Sequence, residues 1–165
     1  MDQYVILVNQ EDEILGVEEK LVAHQEGLLH RAFSLIIFNE NREMLLQRRA
    51  MGKYHSAGLW TNTCCSHPIL SEDIEQTIHK RLQFEMGFDT KLEFAFSFSY
   101  KSNFTNGLIE HELDYVYYGF YDGSPQINPN EVMDFKWASI EILRDELKNN
   151  PQTFTSWFPY ILDKM

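Results

Sequence analysis

The run Trp60-Thr-Asn-Thr-Cys-Cys-Ser-His-Pro68 holds both cysteines of the chain and one of its six histidines. A thiol two residues ahead of an imidazole points to chemistry more than to packing, because both groups titrate or bind metal within reach of neutral pH. Cys64 and Cys65 are sequence neighbours, so a bond between them would need a strained ring. The bland alternative is two small buried hydrophobes. The residues around them bear on that choice.

Downstream, Ser71 is expected to cap a helix whose first turn carries Glu72, Asp73 and Glu75, charges that suit its positive end. Ile74, Ile78 and Leu82 recur every fourth residue as an apolar stripe, and Gly87 stops the helix. Glu85 falls on that same stripe. A carboxylate buried there needs a partner, either Arg81 one turn earlier or a metal ion.

Other reactive types recur along the chain. His24 and His30 lie six apart and share no helix face, but a turn at Gly27 would let them converge. Glu110 and Glu112 point the same way if they lie on a strand, and two such carboxylates repel unless a cation separates them or one keeps its proton. Arg48, Arg49 and Lys53 form the only dense basic cluster; it is a solvated loop or an anion site. Three imidazoles, paired carboxylates and a thiol make a donor set that suits a divalent transition ion.

These groups must be held by a framework, and the chain has material for one. It has 165 residues, 44% of them hydrophobic, which fits one domain spanning 1–165 with a sizeable core. A net charge of −11 argues against general binding to nucleic acid or a membrane surface. Adjacent cysteines give no disulfide framework, and neither a signal-like start nor a membrane-spanning apolar run is present, so a cytoplasmic protein is expected. Strands are predicted at Tyr4–Val8, Ala32–Phe38, Met44–Gln47, Lys91–Tyr100, Ile109–Tyr121 and Phe135–Ala138. Phe94, Phe96, Phe98 and Tyr100 are expected on one strand face. Loops are predicted at Ser102–Gly107 and Pro125–Asn130. A helix capped by Ser139 should run through Leu147, and a last helical segment from Thr155 to Met165 should be irregular at Pro159.

Taken in order, the residues resemble a known family. Lys20-x-x-x-His24, His30-x-Ala-Phe-Ser34, Arg48-Arg49-Ala50 with Lys53, Trp60–Pro68, Glu110-x-Glu112 and the late Trp157 are similar to type 1 isopentenyl diphosphate isomerase, a branch of the Nudix superfamily. The resemblance covers nearly the whole chain. It implies an α/β fold, a Nudix-like α/β/α sandwich with a mixed sheet and flanking helices. Laid on this chain, the Nudix signature runs from Ser66 through Glu72 to Lys80–Phe88, where Arg81 and Phe84 replace two signature glutamates. Nudix hydrolases need that acidic cluster to hold metals that activate water; its loss speaks against hydrolysis.

The resemblance also implies roles. Cys65 and Glu112 match the catalytic pair. His24, His30, His67, Glu110 and Glu112 match the ligands of a first divalent ion, Mn²⁺ or Zn²⁺. Glu85 and the main chain of Cys65 match a Mg²⁺ site shared with the substrate diphosphate. Lys20, Arg49, Lys53 and Arg81 match cations on the diphosphate, and Tyr100 and Trp157 aromatic residues of the pocket. The partner implied is a small isoprenyl diphosphate, handled by a monomer without nucleic acid or membrane. Two alternatives remain: a Nudix diphosphohydrolase, and a non-catalytic metal- or diphosphate-binding module.

Overall fold

A computed structural model describes residues 4–165. In chain order it forms β1 (Tyr4–Val8), β2 (Ile14–Glu19), α1 (Lys20–Glu26), β3 (His30–Phe38), β4 (Glu43–Arg49), β5 (Trp60–Thr61), β6 (Cys64–Ser66), α2 (Ile74–Met86), β7 (Leu92–Asn103), β8 (Ile109–Phe120), β9 (Val132–Ser139), α3 (Ile140–Asn149) and, after a 3₁₀ turn at Pro151–Thr153, α4 (Phe158–Asp163).

β3 is the centre of a mixed sheet. It runs parallel to β8 from His30 opposite Glu112 to Phe38 opposite Phe120. On its other side it meets β1 at His30, β6 from Phe33 to Leu35, and β4 at Phe38. β7 extends the sheet beyond β8, and β9 pairs with β4. Side chains alternate along β3. Phe33, Leu35 and Ile37 meet Ile78, Leu82 and Met86 of α2 on one face. Ile36 meets Leu143 of α3 and Phe158, Ile161 and Leu162 of α4 on the other. The result is the expected α/β/α layering. Each of the three fully buried α2 side chains contributes roughly 1.5–3 kcal/mol of transfer free energy.

Several local expectations change. The cap of α2 is Asp73, whose carboxylate accepts from the Glu75 N–H, and not Ser71. Phe94 leaves the face of Phe96, Phe98 and Tyr100, because a bulge between Phe94 and Phe96 sets Phe94 opposite Tyr117 and Phe96 opposite Val116. β7 continues to Asn103, which shortens the loop expected from Ser102, and β9 is longer than its predicted core. Pro159 stands in the first turn of α4, where its missing N–H has no intrahelical partner to lose, so it starts the helix instead of breaking it. β2, β5 and β6 were not predicted at all. Gly27 does what its position suggested: it closes α1 at φ 69°, a left-handed geometry costly for other residues.

Candidate active site

The turn at Gly27 carries the chain from α1 into β3 and brings the His24 and His30 rings to 5.0 Å between centroids. His67, just past β6, lies 5.2 Å from His30 and 5.8 Å from His24 by the same measure. Glu112 faces them from β8, since its residue pairs with His30 in the parallel ladder. One carboxylate oxygen, Oε2, lies 3.1 Å from His30 Nε2 and 2.8 Å from His67 Nε2. The other accepts from the Tyr100 hydroxyl at 2.8 Å. His24 Nδ1 lies 2.7 Å from the Lys20 carbonyl and His30 Nδ1 2.8 Å from that of Leu28. A carbonyl can only accept, so both Nδ1 atoms donate, which in the neutral imidazole places the lone pair on Nε2.

Donor atoms of His24, His30, His67 and Glu112 all fall within 4.8 Å of one another, and all four residues are buried. Three imidazoles with a carboxylate, held from behind by carbonyls and a tyrosine, fit a divalent transition ion. Glu110, expected in the same set, groups instead with His24 and His55. Its Oε2 is buried and faces His55 Nε2 at 2.8 Å and His24 Nε2 at 4.0 Å, without a well-aligned hydrogen bond.

Electrostatics follow from burial and pairing. Burial pushes His24 down to about 4 and His67 to about 3, so both favour the neutral, ligating form. Burial also opposes the proton on His30, but the Glu112 carboxylate outweighs it and the imidazole is raised. Burial alone would lift Glu112; its hydrogen bonds with His30 and His67 hold it well below the usual carboxylate range. Glu110 is raised by burial and by the neighbouring Glu112 charge.

Cys65 faces the same cavity from β6, which pairs with β3 on the side away from β8. Its thiol donates to Asn62 Oδ1 at 3.1 Å and stands 3.6 Å from Ser34 Oγ, which in turn donates to Asp114 Oδ2 at 2.6 Å. Burial, then the nearby Asp114, pushes the thiol up to about 12, so it rests protonated. Cys64 points to the opposite face and is wholly buried against the α2 side of the core.

One small pocket is lined by Cys65, Glu110, Glu112 and Asp114 and by Lys20, Arg49, Lys53, Arg81 and Trp157. The basic cluster is therefore not a solvated loop: Arg49 is buried, and Lys53 Nζ donates to Glu131 at 2.8 Å. Arg48 is the exception, spent on the Gly58 carbonyl. Tyr100 does not line the pocket; it stands behind Glu110 and Glu112, its single hydroxyl proton within reach of an oxygen of each at 2.7 and 2.8 Å. Glu85 lies behind Arg81, 2.5 Å from its Nε, and accepts from Gln47 Nε2 at 2.9 Å. Arg81 also reaches Glu131 at 2.5 Å.

Sequence reading missed His55, Asp114 and Glu131, and held Asn62 and Ser34 within its motifs without giving them a role. Asp114 had a signal, since it continues the period-two series of Glu110 and Glu112. His55 and Glu131 depend on contacts between distant segments, whereas Asn62 meets the Cys65 thiol three residues on.

A family model described as NUDIX domain matches residues 28–158. The chain is 46% identical over 165 residues to "Isopentenyl-diphosphate Delta-isomerase 2" of Aromatoleum aromaticum, covering 100% of this chain and 87% of that protein. It is 48% identical to "Isopentenyl-diphosphate Delta-isomerase" of Serratia proteamaculans, covering 98% and 90%. Among solved structures, DR0079 from Deinococcus radiodurans superposes with a TM-score of 0.82 at 18% identity, covering 98% of both chains. A MutT protein from Methanosarcina mazei gives 0.68 at 17% identity, covering 82% of this chain and 91% of that one. At such identities the structural likeness speaks for the fold.

Proposed function

This chain belongs to the Nudix superfamily and, within it, to the type 1 isopentenyl-diphosphate Delta-isomerases, and from that membership and the pocket's geometry we propose how its residues work. The protein is an isomerase that interconverts isopentenyl and dimethylallyl diphosphate in isoprenoid biosynthesis. Moving the double bond requires a proton on the terminal carbon and loss of one from the neighbouring methylene. An alkene is a very weak base, so the acid must be aimed and the site dry.

Cys65 and Glu112 are the two proton-transfer groups in this reading. The supporting observation is their placement: both line one pocket, from strands on either side of β3. One adds a proton to the five-carbon unit, and the other removes one. Reversal of the reaction exchanges their roles. Asn62 and Ser34 hold the thiol in place, and Tyr100, His30 and His67 hold the carboxylate. The tertiary carbocation formed on the way needs shelter from water and an aromatic face; Trp157, buried in the pocket wall, offers one.

Arg49, Lys53, Arg81 and Lys20 take the diphosphate, so binding energy far from the reacting carbons fixes their position. His24, His30, His67, Glu110 and Glu112 would hold a first ion, Mn²⁺ or Zn²⁺, and Glu85 with the Cys65 main chain would hold Mg²⁺ beside the diphosphate. When bound, these ions orient Glu112 and offset phosphate charge. The reading takes the chain as one cytoplasmic domain acting as a monomer; its two free thiols fit a reducing compartment. Among the described residues no helix is long and apolar enough to cross a membrane.

Incubation with isopentenyl diphosphate and Mg²⁺ in heavy water tests the reaction. Dimethylallyl diphosphate carrying deuterium is the expected product. Free phosphate without isomerised product would identify a hydrolase, and ligand retention without turnover a binding module.

A further inference from the structure

His55 belongs to none of the expected sites, yet it is 6% exposed and lines the pocket. Its ring is stacked on Phe104 at 4.8 Å and meets Trp157 edge-on at 5.9 Å. Nδ1 lies 3.0 Å from Ser56 Oγ, which can accept its proton as the carbonyls do for His24 and His30. In that tautomer Nε2 carries the lone pair, and it lies 2.8 Å from Glu110 Oε2.

That oxygen is the one without a well-aligned hydrogen bond. Either a proton on Nε2 or a metal ion between the two atoms would hold them this close in a buried site; with Nε2 unprotonated, two lone pairs would face each other and only a cation would remove the repulsion. The gap is also what separates adjacent ligands of an ion bound at about 2.0–2.2 Å, for which the edge is about 3 Å. Donor atoms of His24, His55 and Glu110 lie within 4.8 Å of one another, and His24 is shared with the His30–His67–Glu112 group.

We propose that His55 is a metal ligand, and that with Glu110 it closes, from the loop side, the coordination of the ion held by His24, His30, His67 and Glu112. This rests on the metal site of the preceding section. It ties the ion to the basic loop, because the His55 carbonyl accepts from Arg49 Nη2 at 3.2 Å.

The test is titration of metal-stripped protein with Co²⁺, followed by visible absorption and by competition with a chelating dye. His55→Ala and His55→Gln should both weaken binding by about tenfold or more and shift the Co²⁺ bands, and free imidazole should restore the bands of His55→Ala. His55→Gln with the affinity and spectrum of the unmodified protein would overturn the proposal, since an amide N–H donor would then suffice. So would His55→Ala with both unchanged. X-ray absorption of the Zn²⁺-loaded natural protein needs no variant: four imidazole ligands are expected, and three contradict the assignment. Natural protein that binds no Co²⁺ at all would instead overturn the metal site itself.

Discussion

Glu85→Gln separates two jobs that one carboxylate can do. Glu85 is 3% exposed, with Oε2 on Arg81 Nε at 2.5 Å and Oε1 on Gln47 Nε2 at 2.9 Å. Glutamine keeps the volume but loses the charge, and its amide can satisfy only one of those donors. Removing one partner of a buried ion pair costs about 3–5 kcal/mol when the other charge is left alone. Arg81 is not left alone, because it keeps Glu131 at 2.5 Å. The cost is then that of one unmet buried donor, about 1–3 kcal/mol. For a chain of this size about 2 kcal/mol lowers Tm by about 4–8 °C. If Glu85 also holds Mg²⁺ against the diphosphate, the Mg²⁺ concentration giving half-maximal rate should rise by about tenfold or more. Initial rates of dimethylallyl diphosphate formation across a Mg²⁺ series, at a temperature well below both Tm values, read this directly. A lowered Tm with an unchanged Mg²⁺ dependence would make Glu85 a partner of Arg81 and nothing more.

Other expectations are smaller in scope. Cys64→Ala should lose roughly 1 kcal/mol by leaving a small void in the α2 side of the core while turnover persists; loss of turnover at full stability would reverse the assignment of the two thiols. Metal-free protein should lose stability as pH falls from 6.5 toward 4. His24 and His67 are held near 4 and 3 when folded against 6.5 when free, so the unfolded chain takes up protons that the folded chain refuses. The slope is about 1.4 kcal/mol per histidine per pH unit, partly offset by the raised His30, and a flat urea midpoint across this window would contradict it. Trp157→Phe should keep kcat within about tenfold and Trp157→Leu should fall further, since only the first keeps an aromatic face; equal rates would remove Trp157 from the carbocation's environment.

The parts of the fold legible in the sequence were those with regular burial. β3 and β8 are apolar on alternate residues or throughout, and α2 repeats Ile74, Ile78 and Leu82, so period and burial agree. β2 was not legible, because Ile14, Leu15 and Val17 are all about half exposed or more and mark no buried face. The bulge before Phe96 adds one residue and inverts the alternation behind it, which no composition signals. In the site, residue types with few bland uses stood out: adjacent thiols beside His67, and Glu85 on an apolar stripe. His55 and Glu131 did not, because their meaning lies in partners far along the chain, Glu110 for one and Lys53 with Arg81 for the other.

The central claim is that a thiol and a carboxylate, projecting from strands that flank β3, share the proton traffic. Its most direct test is the rate at which deuterium from heavy water enters dimethylallyl diphosphate in Cys65→Ala and in Glu112→Gln, each with its fold checked by circular dichroism. Each substitution should slow incorporation by about 10²–10⁴-fold. Either protein working within tenfold of the unmodified rate would contradict the account.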